Sequence, residues 1–528
     1  MSRPTRIVLI GYGPVGARFV EGLVAPVRAG SIELTVVGAE THTAYNRVLL
    51  ADYAVGRADR ARLDLTDTAA AVEAGVRIRL GESAVAIDRD RQSVRLDSCD
   101  TLPYDRLVFA TGARANLPSL VGLEAARRDR RSRPGAAAAL DRGPEALPHG
   151  VVALRDLADA DTVLEAVTAG RRIVVLGAGV LGMEIALAAS ERGASVVAVF
   201  HGDIPMGRQL DSGGGRALRR AAHDAGVTMA PHSRAESLQF RHREDGEEHF
   251  DALVCADGKL IEGDLLLLSC GVGARTELAE QSGLRATSGI LVDEQLRSWD
   301  DPDIFAIGDC AHVASRSTAL PDGRVPGGPA GLIGPGWRQA DWLASRLAAE
   351  VSPAEVATLS PGDRPLVVML KAEGIDVVAG GNVSADPWDE SSALETTLWA
   401  DPARGTYAKM VTRDGVLEGF VAVGLPRAGA ELTLLFERGG ELPEDRSTLL
   451  RLDASDAGAA ATADSHAPDA TVCWCNGVSV QHILTAAEEG ATTVEEVGAC
   501  TRAGTGCGGC KGRIAELLAQ SAAPVATR

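Results

Sequence analysis

Apolar residues fall along this chain in short uninterrupted runs that end in glycine-rich turns, the pattern of strands buried on both faces of a parallel sheet. Residues 7–10 (Ile-Val-Leu-Ile) lead straight into Gly11-Tyr12-Gly13-Pro14-Val15-Gly16. A helical spacing follows in Ala17, Phe19, Val20 and Leu23, then a second apolar run at 34–37 and an acid, Glu40. The same order returns from residue 172. There, residues 173–176 run into Gly177-Ala178-Gly179-Val180-Leu181-Gly182, residues 183–192 carry a helical pattern, and 195–200 form another strand. In each copy the first glycine permits a tight turn, the second lets backbone approach a pyrophosphate, and the third lets helix and strand pack closely. Two such units predict two dinucleotide sites, and the usual pair of ligands is FAD with NAD(P)H.

The copies differ at the acidic position. Glu40 is placed to accept both hydroxyls of a ribose, whereas the second copy has Phe200 and then His201, with Arg208 soon after. Without an acid there, a 2′-phosphate is accommodated more easily than a free diol, which favours NADPH. Further buried runs predict strands at 104–109, closing in Ala110-Thr111-Gly112, and at 265–268, closing in Ser269-Cys270-Gly271. A hairpin-like stretch at 290–293 precedes a strand at 303–307, Gly308-Asp309 and a helix. The Asp309 carboxylate suits a ribityl hydroxyl of FAD, with Gly308 letting the backbone come close. Residues 334–351 read as an amphipathic helix.

The pattern then changes to short strands at 366–370, 375–379, 407–411 and 417–423, a separate α+β domain. Residues 453–470 read as a flexible linker. Two helices follow, at 479–489 and after Thr493, whose spacing to Glu496 makes a capping box. An Arg- and Ala-rich stretch, 123–148, lacks either period and reads as an exposed insertion.

Composition narrows the partners. The net charge is −19 and 49 of the 53 basic residues are arginine. Such a surface argues against nucleic acid or anionic lipid and fits docking on a basic patch of another protein. No apolar stretch approaches the roughly 20 residues that span a bilayer, so no membrane partner and a cytoplasmic location are expected. Five of the nine cysteines lie in the last 56 residues. Cys473-Trp474-Cys475 and Cys507-Gly508-Gly509-Cys510 make a soft four-thiolate cage suited to zinc or an iron-sulfur cluster. Structural zinc more often uses C-x-x-C twice, so a redox cluster beside a flavin is favoured. Cys500 reads as a spare, small buried side chain, and Cys255, Cys270 and Cys310 as core residues. With no cysteine before Cys99, the helix after Glu40 carries no flavin-facing thiol, and disulfide reductase or thiol peroxidase chemistry is not expected.

These motifs resemble the pyridine nucleotide-disulfide oxidoreductase family, in particular its assimilatory nitrite/nitrate reductase electron-transfer branch. The resemblance rests on both glycine triplets, Glu40, Tyr45-Asn46-Arg47-Val48, Ala110-Thr111-Gly112, Arg208-Gln209-Leu210-Asp211, Ile307-Gly308-Asp309 and residues 370–376. The C-terminus, with 501–510, resembles the bacterioferritin-associated ferredoxin type of 2Fe-2S domain. The likeness implies that Gly11, Gly13, Gly16, Glu40, Arg47, Thr111, Gly112 and Asp309 hold FAD. It also implies that Gly177, Gly179 and Gly182 hold NAD(P)H, and that Cys473, Cys475, Cys507 and Cys510 hold a 2Fe-2S cluster. Pro14, Ala84, Ala110, Gly308, Glu184, His201, Arg208 and Gly271 complete the candidate cofactor-binding set.

The expected fold class is α/β, with two Rossmann-like dinucleotide-binding domains, one inserted in the other, then a small α+β domain and a small helical 2Fe-2S domain. The expected boundaries are 1–150 with 265–350 for FAD, 151–264 for NAD(P)H, 360–452 for the α+β domain, 453–470 for the linker and 471–520 for the cluster. The expected activity is NAD(P)H:acceptor oxidoreduction, with hydride passing to FAD and single electrons passing through the cluster to a partner. The likeness makes that partner a molybdenum-containing assimilatory nitrate reductase or a nitrite reductase. The chain stops at Arg528 with no cysteine signature for a sirohaem module, so it is not expected to be a complete nitrite reductase. The alternatives are a ferredoxin or rubredoxin reductase and a non-catalytic redox-responsive module with structural zinc.

Overall fold

The computed structural model describes residues 3–123, 147–242, 247–351, 366–389, 392–439, 441–450, 452–453, 467–473, 476–506 and 508–521. The Arg-rich insertion (but for its ends), most of the linker, Cys475 and Cys507 therefore lie outside the described residues. Among the described residues no helix is long and apolar enough to cross a membrane.

Two five-stranded sheets carry the molecule, and each is built in the same way. In the first, Thr5–Ile10 pairs in parallel with Ile32–Gly38 on one side and Arg106–Phe109 on the other, with Arg77–Leu80 and Ile304–Ala306 at the edges. In the second, Arg172–Leu176 pairs in parallel with Ser195–Val199 and Leu265–Leu268, flanked by Thr228–Ala230 and Val151–Val152. Because Ile304–Ala306 completes the first sheet only after the second is finished, one unit is inserted in the other. Each central strand begins with an arginine clamped to an aspartate just before a neighbouring strand. Arg6 gives its N–H (2.8 Å) and Nη2 (2.8 Å) to Asp105, and Arg172 gives its N–H (3.0 Å) and Nε (3.3 Å) to Asp264.

Two expectations change. The four leucines 265–268 are buried between two partners of the second sheet, so the chain returns to the first unit after 268 and not at 265. The stretch 290–293 does turn back, Val292 bridging Ser298 antiparallel, while Ile290–Val292 also lies parallel to Ala311–Val313. Asp309 is followed not by an α-helix but by one 3-10 turn, Gly308–Cys310, leading into that strand. The long helix comes later, at Ile333–Val351, and lies across the helix Pro14–Arg28. Trp337 Nε1 donates to the Pro14 carbonyl (3.2 Å), Arg18 grips Asp341 (2.6 Å), and a Cβ at Gly22 would stand 2.6 Å from that of Ala344.

The third sheet is antiparallel, in the order Val367–Ala372, Ile375–Gly381, Val416–Val423, Thr406–Arg413, Glu395–Asp401, with the helix Pro426–Arg438 on one face. The edge strand Glu395–Asp401 has few large apolar residues and gave no sequence signal. This sheet shares a core with the second unit through Leu370, Val377, Tyr407 and Val421. The C-terminal unit pairs Thr471–Cys473 with Val478–Ser479 and adds helices Val480–Glu488, Val494–Thr501 and Lys511–Ser521. Glu496 accepts from the N–H groups of Thr492 and Thr493 at 2.7 and 3.0 Å, closing the capping box read from the sequence.

Candidate functional site

In open parallel sheets ligands bind beyond the carboxyl ends of the strands, and there the candidate residues gather. Gly11 to Gly13 follow the first strand, Ala110 to Gly112 its neighbour, and Gly308 with Asp309 the strand beyond. The glycines of the triplet do different work. Gly11 has φ 109°, and a Cβ there would stand 2.2 Å from the Ala110 carbonyl oxygen, so it serves the turn. Gly13 is different: the nearest atom to a Cβ would be Arg47 Nε at 3.8 Å, so its face is open. The second triplet repeats this, with Gly177 crowded by Ser269 and nothing within 4 Å at Gly179. Two open cradles, each at a helix N-terminus, fit two pyrophosphates. Pro14 is the first residue of its helix.

A charged cluster lines the first cradle. Arg47 pairs with Glu40, lies over the Tyr45 ring (5.1 Å), and gives Nη1 to the Arg155 carbonyl at 2.9 Å. Glu40 also accepts from the Tyr45 hydroxyl (2.9 Å), and each of its oxygens keeps a second lone pair for a ribose diol. Burial raises the Asp309 carboxyl, with Arg155 and Arg47 opposing. Burial lowers the Arg155 guanidinium, and Arg47 and Arg275 add to it while Asp309 opposes. Arg155 gives Nη2 to the Ala113 carbonyl (3.0 Å), yet its Nε is buried without a partner. A buried orphan donor is costly. A buried carboxylate held among arginines and an orphan donor are what a polar, anionic ligand such as FAD would satisfy.

Arg155 and Arg275 were missed in the sequence. The signal for Arg155 was there: it separates the buried run 151–154 from Asp156, which caps the helix Leu157–Thr168 with Asp159 in a capping box. Arg275 is brought in by the strand Val272–Ala274, which pairs antiparallel with Ala113–Ala115 across a long sequence gap. Thr111 Oγ1 donates to the Arg275 carbonyl at 3.1 Å, and Arg275 N–H to that of Gly112 at 3.0 Å. Ala84 opens the strand Ala84–Asp88 opposite Leu96, after a loop whose Gly81 N–H donates to the Glu40 carbonyl at 3.0 Å. Gly308, φ 74°, gives its N–H to Gln339 Oε1 (2.7 Å) and packs on Val15.

At the second cradle, Glu184 is half-buried on the helix Val180–Glu191, and Gly271, φ 85°, accepts from the Asn116 N–H at 2.9 Å. His201 and Arg208 are both exposed. Between them, Asp203 is held by His232 (3.3 Å) and Arg219 (3.7 Å), so the carboxylate nearest the missing acid is matched by two basic groups.

At the C-terminus, Cys473 and Cys510 are buried against each other. A hydrogen bond from Cys510 outweighs burial and, helped by the N–H groups of Gly504 and Asn476, brings the Cys473 thiol down to about 6. That fits a thiolate ligand, and the Gly504 N–H is one of the glycine donors expected around bound sulfur. Cys255 and Cys310 are buried as expected and Cys270 half-buried, but Cys500 is exposed. It falls on the solvent side of the helix Val494–Thr501, where the sequence had suggested a buried residue.

A family model for pyridine nucleotide-disulphide oxidoreductases matches residues 5–324, and one for a BFD-like 2Fe-2S binding domain matches residues 471–520. These families carry FAD, NAD(P)H and a 2Fe-2S cluster. The chain is 29% identical to the NAD(P)H nitrite reductase of Bacillus subtilis (strain 168), over 97% of this chain and 57% of that protein. It is 28% identical to the assimilatory nitrate reductase electron transfer subunit of the same organism, over 97% and 59%. The chain thus spans under three-fifths of either relative. Among solved structures, putidaredoxin reductase in its covalent complex with putidaredoxin superposes with a TM-score of 0.67 at 21% identity, covering 86% of this chain and all of that one.

Proposed function

We propose that this chain, which belongs to the pyridine nucleotide-disulphide oxidoreductase family, is an NAD(P)H-oxidising electron-transfer module that serves an assimilatory nitrate reductase or a nitrite reductase in the cytoplasm. The observation that carries this reading is that a cysteine unit of 2Fe-2S type packs directly on the loop that bears Arg47, beside the first nucleotide cradle. Bound FAD supplies two-electron acceptance from NAD(P)H and one-electron release, and a bound 2Fe-2S cluster supplies one-electron carriage, which is the chemical reason to join them on one chain.

The chain's own residues bind and orient. The open faces of Gly13 and Gly179 take the two pyrophosphates, and Arg47 and Arg155 neutralise negative charge at the first. Asp309 accepts a hydroxyl hydrogen there, and Glu40 takes the adenosine ribose. No side chain needs to act as acid or base for hydride delivery, so geometry does most of the work. Residues 151–268 form the coenzyme domain within the FAD domain, 367–453 the third domain and 471–520 the cluster domain, divisions that follow the sheets. With Asp203 already matched by His232 and Arg219, NADPH is favoured over NADH at the exposed His201 and Arg208.

A ferredoxin or rubredoxin reductase is the second reading, favoured by the fold of putidaredoxin reductase. A cysteine domain on the same chain makes a separate carrier less necessary. The test is anaerobic titration of the purified chain with NADPH and with NADH, followed by flavin absorbance and EPR. Bleaching of the flavin and a reduced-cluster signal, at lower NADPH than NADH, are expected. A flavin that stays oxidised with both donors would end the proposal.

A further inference from the structure

Where the C-terminal unit meets the first one, a single side chain uses its whole amide group. Asn46 is 2% exposed. Its Oδ1 accepts the Val48 N–H at 3.0 Å, and its Nδ2 donates to the carbonyls of Thr505 at 3.0 Å and Gly506 at 2.9 Å. With an N–H on one side and two carbonyls on the other, the partners dictate which end is nitrogen. The backbone is held as well, the Asn46 N–H going to the Leu63 carbonyl at 2.7 Å. The adjoining side chain, Arg47, faces Glu40 and the Arg155 carbonyl. One residue therefore separates the lining of the first cradle from the loop that leads to the second cysteine pair.

That loop is organised from the other side too. Asn476 gives Nδ2 to the Arg502 carbonyl (2.7 Å) and stands 3.8 Å from Cys473 Sγ. Arg502, at φ 64°, reaches Glu21 at 2.9 Å, on the helix that starts at the first glycine turn. Glu21 is itself raised by burial, with Arg18 opposing. The two ties differ in strength. The Arg502–Glu21 pair is half-exposed and contributes little, whereas losing Asn46 would leave two carbonyls facing the first unit without a donor.

We propose that Asn46 is the positioning residue that locks the cysteine-bearing loop onto the Arg47 loop and so holds the two redox sites at a fixed separation. This rests on the electron-transfer reading above. The specificity lies in the donor: two carbonyls converge on one NH2 group, which neither a carboxylate nor a hydroxyl can replace.

The test uses the full chain with its flavin and cluster contents measured. Asn46→Asp turns a double donor into an acceptor facing two carbonyls. Hydrogen–deuterium exchange at residues 502–506 should rise about tenfold, the equivalent of about 1.4 kcal/mol of lost docking. The rate at which NADPH brings up the reduced-cluster EPR signal should fall by a similar factor, while flavin bleaching falls less. Exchange and cluster reduction both unchanged in Asn46→Asp would overturn the proposal. If Asn46→Asp does not fold, Asn46→Ser decides: a single hydroxyl leaves at least one of the two carbonyls without a donor, so exchange in the same segment should rise by a smaller factor, and unchanged exchange overturns the lock. A wild-type chain whose flavin ignores both coenzymes would end the electron-transfer reading, while the exchange data would still judge the lock.

Discussion

Asp159 shows how burial and one neighbouring charge tune a residue that helps to position the site. Its carboxyl accepts the Arg155 N–H at 2.8 Å and so helps to aim the arginine that borders the first cradle. Burial, then the Asp156 charge, pushes it up to about 7. A carboxyl that holds its proton more tightly when folded lends stability at low pH and withdraws it as pH rises through the folded value. Wild type should therefore lose on the order of 1–3 kcal/mol between about pH 4 and 7 from this group alone. Asp159→Asn, whose amide oxygen still accepts both N–H groups, should lack that slope. Denaturation midpoints across this range measure it, and parallel curves for the two proteins would refute it. Asp156 and Asp159 were not singled out in the sequence. That the pair is buried beside Arg155 depends on the fold.

At the scale of elements, the duplicated clamp at the start of each central strand is an internal control. Asp105 sits among the N–H, Nε and Nη2 of Arg6, and the Arg6 hydrogen bonds outweigh burial to bring its carboxyl down to about 2. Stability from a depressed carboxyl is complete above its unfolded value and is lost as pH falls through the folded one. Asp105→Asn should cost about 1–2 kcal/mol at pH 7, a gap that narrows below pH 4, the opposite slope to Asp159→Asn. Urea midpoints at pH 7, 5 and 3 check the sign. Asp264 is also lowered, with burial outweighed by the bonds from Arg172. Neither clamp was read from the sequence, because an Arg before one apolar run and an Asp before another are joined only when the strands pair. The strands themselves were legible, since a run of Val, Ile and Leu ending in glycine has few other uses. The edge strand Glu395–Asp401 was not, because none of its positions is fully buried.

For the whole molecule, the junction of the coenzyme unit with the third sheet adds a buried cation to its shared apolar core. Lys409 is 3% exposed. Its ammonium donates to the carbonyls of Val383 (2.8 Å) and Ala385 (2.7 Å) and lies 3.4 Å from Asp211. Asp211 also accepts from the Tyr407 hydroxyl (2.5 Å) and caps the helix Ser212–Asp224 through the Gly214 N–H (3.0 Å). Removing one member of a buried pair strands the other. Lys409→Met should cost about 3 kcal/mol and uncouple the third sheet from the coenzyme unit, seen as a split of one calorimetric transition into two. A single transition at the wild-type temperature would contradict this.

What the sequence determined by itself was the chemistry carried by local order: two strand–turn–helix units, Gly308-Asp309 after a buried strand, and paired cysteines. Glycine spacing and apolar runs act within a few residues of themselves, so they can be read without a fold. Tertiary structure alone decided the rest. It set Arg155 beside Asp309 and Arg275 near Arg47, matched Asp203 with His232 and Arg219, and brought Asn46 to the cysteine loop some 460 residues away. Such contacts follow from how surfaces pack, which depends on every residue beneath them.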